Sequence, residues 1–294
     1  MAIKDLIIGG ASNYSWQELK YWINSIKKSG FQGDVVLVAT NISAETITTL
    51  TNKGVILSIY GEKQPDGSYK AHSNGVPHVE RFFYIWNFLN SIKEEYRYVI
   101  ATDTRDVVFN KNPSDWLEMF LGLTTNKLVV SPEGLKYKDE PWGNQNLLDT
   151  FGPYFHNILK EKMIYNVGTI AGNADYVKDL FLMIFQMSVN RPIPIVDQAV
   201  FNFLINYEPY KSDLYRTINA DEWAIQLGTT LEAIQEGNGD IGRICKQNPT
   251  ELVSYQLKYT DKQPDLDNLN YVIIHQYDRI SRLKEKIQKL YGDE

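Results

Sequence analysis

The chain has 294 residues, 43% hydrophobic and 22% charged, ordinary values for a soluble globular protein and enough for one sizeable core. Thirty basic residues against 36 acidic ones leave a net charge of −6. That balance excludes a general nucleic-acid binder, though not a phosphate-bearing ligand whose charge is met locally by a metal ion. A single cysteine, Cys245, excludes an internal disulfide. No apolar run approaches the roughly 18 residues that a membrane-spanning helix needs. The start, MAIKDLIIGG, carries an apolar run too short for a signal peptide and reads as a first strand. A soluble, cytoplasmic protein is expected.

Strand and helix signals alternate through the first half. Residues 6–10 (LIIGG) read as a strand and 15–30 as an amphipathic helix, opened by the capping-box spacing of Ser15 and Glu18 and stopped by Gly30. A second strand (34–40), a second helix (43–54) and a third strand (55–60) follow. Residues 61–77 form a polar, turn-rich loop, 79–92 a helix, and 97–102 the next strand. Beyond it, 128–134 reads as a strand, 137–155 as a loop with a short helix, and 163–172 as a strand broken at Gly168. Helices are expected at 173–189 and 195–207, and an amphipathic basic one at 279–292. Strands separated by helices predict an α/β domain with a mostly parallel central sheet covered on both faces. Ligands of such sheets gather at the carboxyl ends of the strands.

Chemistry concentrates at such ends. The run YVIATDTRDVVF places Asp103 and Asp106 where a buried strand stops. Paired carboxylates there suit an oxygen-loving divalent cation, Mn²⁺ or Mg²⁺; they also suit a turn in which Asp103 caps backbone N–H groups and Asp106 pairs with an arginine. His275, closing the apolar run VIIH, is either a hydrogen-bonded structural residue or a third ligand, since Mn²⁺ accepts imidazole. Asn166 beside Gly168 offers an amide where backbone can approach a ligand closely. Asp197 and Gln198 open an apolar helix, where Asp197 is equally explained as a cap. Trp142 and Trp223 are candidate platforms for a sugar ring, or core. Dinucleotide, P-loop, hydrolase-elbow and zinc signatures are all missing from the sequence.

Taken in order, TDTRDVVF, YNVGTIAG, VDQAVFNF and HQYDR resemble the motifs of a GT-A type nucleotide-sugar glycosyltransferase, glycogenin-like or bacterial galactosyltransferase-like. Members carry a D-x-D at a strand end, an N-[AS]-G segment, a D-Q-x-x-[LF]-N helix and a C-terminal metal-binding histidine. The likeness spans residues 5 to 280; order and spacing carry it, since each motif is short. It implies a Rossmann-like GT-A domain over residues 1–260, with an extension, 261–294, that brings the metal-binding histidine and an amphipathic helix. It also implies transfer of a hexose, glucose or galactose, from a UDP-sugar to a sugar, lipid or protein acceptor with the help of Mn²⁺. Asp106 then matches the second acid of D-x-D and Thr104 stands at the first, so Asp103 supplies a carboxylate from one position earlier or contacts the ribose. The metal set becomes Asp103, Asp106 and His275. The resemblance places Gly9, Gly10, Ala11 and Asn13 at the base and ribose, although Ser12 stands where the family often has an acid. Arg81 goes to the diphosphate or sugar, with Thr104 and Gly168 also at the donor. Asn166, Asp197 and Gln198 face the transferred sugar and acceptor as catalytic candidates.

Two other classes fit the same residues. A binding protein of this fold without turnover is favoured by the irregular D-x-x-D spacing. A metal-dependent phosphotransferase or phosphatase could use Asp103 as nucleophile, but such enzymes place their acid pair after the first strand, whereas this pair follows the fourth.

Overall fold

The computed structural model describes residues 4–93, 95–253 and 265–292. Strand β1 (Lys4–Ser12) leads into helix α1 (Trp16–Lys28), whose start is fixed by the Ser15/Glu18 capping box. Gly30, at φ 82°, takes the left-handed turn that lets the chain leave the helix. Strand β2 (Asp34–Thr40), helix α2 (Ala44–Asn52) and strand β3 (Ile56–Ile59) follow the expected alternation. The polar loop after them holds a short hairpin, β4 (Glu62–Lys63) and β5 (Tyr69–Lys70), before helix α3 (Pro77–Ser91) and strand β6 (Tyr96–Thr102).

Beyond β6 the chain is cut more finely than its pattern suggests. Strand β7 (Val107–Phe109) and helix α4 (Pro113–Phe120) precede two strands, β8 (Leu128–Val130) and β9 (Pro132–Lys136), where one was expected at 128–134. Ser131 separates them because β8 joins the central sheet while β9 turns away to pair with β10 (Met163–Tyr165). The loop with a short helix expected at 137–155 is largely helix α5 (Pro141–Leu159), longer than expected and bent where Gly152 adopts φ 72° before Pro153. The strand read at 163–172 divides into β10 and β11 (Thr169–Asn173), with residues 166–168 between them as a turn. Helices α6 (Ala174–Ser188) and α7 (Asp197–Leu204) agree with the sequence pattern. Strands β12 (Leu214–Arg216) and β13 (Ala224–Gln226), helices α8 (Leu231–Glu236) and α9 (Gly239–Gln247) and strand β14 (Ile273–His275) precede the C-terminal helix Ser281–Tyr291. The domain boundary expected at 260/261 lies outside the described residues.

The seven-stranded central sheet runs β12–β8–β11–β6–β1–β2–β3 and is parallel except for β11, which opposes both neighbours. Period-two alternation sends Leu6 and Ile8 to one face and Ile7 to the other. The first face packs on α3 and α6 through Phe82, Ile85, Leu180 and Phe181. The second packs on α1, α2 and α4 through Leu19, Trp22, Leu50 and Leu117. The chain builds outward from β1 to β2 and β3, then crosses back so that β6 lies on β1's other edge. That reversal opens a crevice at the carboxyl ends of β1 and β6. A separate three-stranded sheet, β13–β14–β7, closes one side of it.

Gly9 belongs to this packing. A Cβ there would lie 2.3 Å from Thr104 Cγ2 and 3.0 Å from the Thr102 carbonyl. Urea denaturation of Gly9→Ala should therefore show a loss of about 1–3 kcal/mol; an unchanged midpoint would mean that the Thr104 side chain yields freely.

Candidate active site

The crevice is a cleft of about 700 Å³. Gly10, Ala11 and Ser12 of β1 and the segment Asp103–Asp106 after β6 form its floor. Arg81 enters from α3, Asn166–Gly168 from the turn before β11, Asp197 and Gln198 from α7, and His275 from β14. Eleven of the thirteen residues that the resemblance implies thus share one wall-to-wall space: Gly10, Ala11, Arg81, Asp103, Thr104, Asp106, Asn166, Gly168, Asp197, Gln198 and His275. Two do not. Gly9 sits behind the wall, and Asn13 is exposed, its amide 3.3 Å from the Ser12 hydroxyl.

His275 reaches the acids through strand pairing. Antiparallel β7 and β14 set His275 opposite Val107, next to Asp106, and the Gln276 N–H donates to the Asp106 carbonyl at 2.7 Å. The imidazole Nε2 then lies 3.4 Å from Asp103 Oδ2 and 3.6 Å from Asp106 Oδ1. The other oxygen of each acid is held by a guanidinium: Asp103 Oδ1 by Arg81, and Asp106 Oδ2 by Arg279 at 3.3 Å, with Arg105 at 3.6 Å. Three donor atoms therefore converge, all within 4.8 Å of one another. Burial alone would push both carboxyls up, but Arg81 and His275 hold Asp103, and His275 and Arg279 hold Asp106, below the usual carboxylate range. Burial would likewise lower the imidazole, yet the two carboxylates raise it to about 9.

The tautomer of His275 is set from behind. Gln226, its parallel neighbour on β13, donates through Nε2 to Thr169 Oγ1 at 2.8 Å. The Gln226 oxygen must then face His275 Nδ1, 2.7 Å away, so Nδ1 is the donor and Nε2 is left aimed at the acids. Without a cation, Nε2 holds a proton between two carboxylates; a dication would take that proton's place. The set fits the Mg²⁺ and Mn²⁺ class by donor chemistry. Space agrees: a Cβ at Gly168 would stand 2.7 Å from Asp103 Oδ2, 2.8 Å from His275 Cε1 and 2.9 Å from Asn166 Oδ1, so glycine keeps the point open. Thr104, by contrast, donates its hydroxyl to the Gly10 carbonyl at 3.0 Å.

On the far wall, Asp197 meets Arg81 Nη2 at 3.1 Å. The same guanidinium thus ties the acid of α7 to Asp103. Asp197 is the first residue of α7, after Val196 at the N-cap, and its carboxylate also accepts from the Gln198 N–H. Burial pushes its carboxyl up against the pull of Arg81. Trp142 lines the cleft, but Trp223 does not: it is 1% exposed and packs 4.6 Å from Trp116, which rules out a sugar platform.

Sequence reasoning passed over Gln226, Arg105, Arg279 and Glu133, as well as α8 and α9, the latter carrying Ile241 and Arg243 into the cleft. A signal for Gln226 existed: it is an amide inside the apolar run WAIQLG. Glu133 is 9% exposed, and its Oε1 accepts from Asn166 Nδ2 at 2.7 Å and Gln198 Nε2 at 3.0 Å.

Comparison with solved structures agrees with this fold. The WbbM bifunctional glycosyltransferase matches 100% of this chain and 52% of its own, at 13% identity and a TM-score of 0.56. The glycosyltransferase GlyE of Streptococcus pneumoniae TIGR4 matches over 99% of this chain and 61% of its own, at 12% identity and a TM-score of 0.53. The chain has a GT-A type glycosyltransferase fold. It spans between half and two thirds of the length of either protein, and at such identities the likeness is one of fold. No protein-family model and no curated protein matches the sequence. Among the described residues, no helix is long and apolar enough to cross a membrane.

Because Gln226 leaves Nε2 facing the acids, Gln226→Leu should weaken Mn²⁺ binding about 10–100-fold in titration calorimetry, as is usual when a ligand's supporting hydrogen bond is removed. Wild-type affinity in the variant would show that the Gln226–His275 bond does not orient the ligand.

Proposed function

We propose that the protein is a metal-dependent glycosyltransferase that moves a hexose from a UDP-sugar to an acceptor hydroxyl. The observation that carries this is the convergence of Asp103, Asp106 and His275 on one point of a GT-A cleft, facing a wall built by Arg81, Asp197, Gln198 and Asn166. Asp103, Asp106 and His275 would hold Mn²⁺, or Mg²⁺, as their oxygen and imidazole atoms suit either ion. When bound, such a cation stabilises the negative charge that builds on the departing diphosphate.

The chain's own residues supply the rest. Backbone groups of Gly10 and Ala11 would meet the uridine. Arg81 would keep Asp103 and Asp197 ionised within a buried wall, where its charge is worth more than in water. Asn166 and Gln198 would contact the transferred sugar, and Asp197 would support positive charge at the anomeric carbon or accept the proton of the acceptor hydroxyl. Residues 261–294 would complete the site through His275, so that the chain works as one catalytic unit. A binding protein that kept the fold without turnover is separated by one assay: incubation with UDP-sugars and Mn²⁺, with release of UDP as the readout. Binding without release favours the second reading.

UDP with Mn²⁺ should raise the melting temperature and GDP far less, a ligand at about 100 times its dissociation constant adding roughly 2.7 kcal/mol. Asp106→Ala should lose the UDP response; equal responses to UDP and GDP would overturn the nucleotide assignment. Asp197→Asn, which can still meet Arg81 through its oxygen, should lower turnover at least about 100-fold with Mn²⁺-dependent UDP affinity intact. Turnover like the wild type would reduce Asp197 to a structural partner of Arg81.

A further inference from the structure

Glu133 is a buried carboxylate in the cleft wall that the proposed chemistry does not use. It lies on β9, and its backbone is itself held, the Thr229 hydroxyl donating to the Glu133 carbonyl at 2.7 Å. Two side-chain amides from different elements donate to the same atom, Oε1: Asn166 Nδ2 from the turn before β11 and Gln198 Nε2 from α7. The opposite end of each amide is also engaged. Asn166 Oδ1 accepts from the Gly168 N–H at 2.7 Å, and Gln198 Oε1 accepts from the Val167 N–H at 3.4 Å.

An amide can be turned over by half a rotation, and without constraint either sense is available to it. Here the reversed sense would set each amide oxygen against the carboxylate and each NH₂ against a backbone N–H. Both contacts would be repulsive, and the burial of Glu133 and Asn166 leaves little water to relieve them. We infer that Glu133 is a positioning residue whose one oxygen locks the sense of both amides, and with them the turn 166–168 against α7. Each amide keeps one further N–H, a donor suited to a hydroxyl oxygen of the transferred sugar. The last step rests on the proposed glycosyl transfer; the locking itself does not.

The turn so held also packs on the metal-binding side, since the Asp103 N–H donates to the Gly168 carbonyl at 2.9 Å. Glu133 thus connects the three-donor point to the sugar-facing wall through hydrogen bonds alone. What Oε1 supplies is acceptor capacity in a fixed place. A neutral glutamine oxygen at the same position supplies it equally, so charge is not required.

Two variants test this. In Glu133→Ala, the side-chain amide resonances of Asn166 and Gln198 in a ¹⁵N-correlated spectrum should move toward solvent-like values. Turnover of UDP-sugar with Mn²⁺ should fall about 100-fold, the usual result of an ångström-scale misplacement, with the loss in kcat and Mn²⁺-dependent UDP affinity unchanged. Glu133→Gln should restore both amide resonances and bring kcat within about tenfold of wild type, the order of one weakened hydrogen bond. If the Gln variant is as slow as the Ala variant although its amide resonances are native, charge rather than position is what Glu133 provides, and the inference fails. Unmoved amide resonances in Glu133→Ala overturn it as well. A wild type that turns over no nucleoside diphosphate sugar overturns the functional proposal instead, while the resonances of the two variants still decide whether Glu133 locks the amides.

Discussion

The register of one short strand pair governs the site. His275 comes to the acids because β14 runs antiparallel to β7 with His275 opposite Val107. A slip of one residue would send the imidazole to the other face of the small sheet and into the core beneath it, because side chains alternate along a strand. The register is held on both edges: by the Gln276-to-Asp106 backbone bond on the β7 side, and by Gln226 beside His275 on the β13 side. Apolar burial of Val108 and Ile274 against Leu227 and Tyr277 makes the slipped alternative costly.

Given that register, the electrostatics follow. Asp103, Asp106 and Asp197 are all drawn into the wall of one cleft, where isolated carboxylates would take up protons rather than stay charged. His275 together with three arginines, Arg81, Arg279 and Arg105, prevents this for Asp103 and Asp106, and each carboxylate divides its work. One oxygen faces a guanidinium and the other faces His275 Nε2. Arg81 matters most, because it is the most buried of the three and bonds to acids on opposite sides of the cleft. Removing one partner from such a pair is expensive, since the other charge remains buried and uncompensated. The arrangement is therefore rigid before any ligand arrives, which is what a site needs if it is to lose little entropy on binding.

A second layer of groups gives direction to the first. Gln226, Thr169, Glu133 and the backbone of 166–168 carry no obvious chemistry, yet they decide which nitrogen of His275 faces the acids and which end of each amide faces Glu133. Hydrogen-bond sense is inexpensive to specify in a buried network, because the wrong sense leaves groups unpaired. The fold spends its irregular features here. The turn at 166–168, the Ser131 break between β8 and β9, and the antiparallel β11 all lie within reach of the same cleft.

By itself the sequence determined the alternation of strands and helices to β6, the mostly parallel sheet, and the acid pair at a strand end. Those are local: periodicity, capping boxes and glycine stops are written in neighbouring residues. It also brought Asn166, Asp197, Gln198 and His275 forward through short motifs in a telling order. Only the tertiary structure showed that the Thr104 hydroxyl bonds to the Gly10 carbonyl while the Asp103 carboxylate lies beside Asp106 and His275. It alone removed Trp223 from the list of sugar platforms, since a buried and an exposed tryptophan look alike in a string of letters. Gln226 and Glu133 escaped notice for the same reason: their roles are hydrogen bonds to residues distant in sequence, and no local spacing encodes a partner that arrives only when β13 pairs with β14, or when β9, the turn at 166–168 and α7 come together.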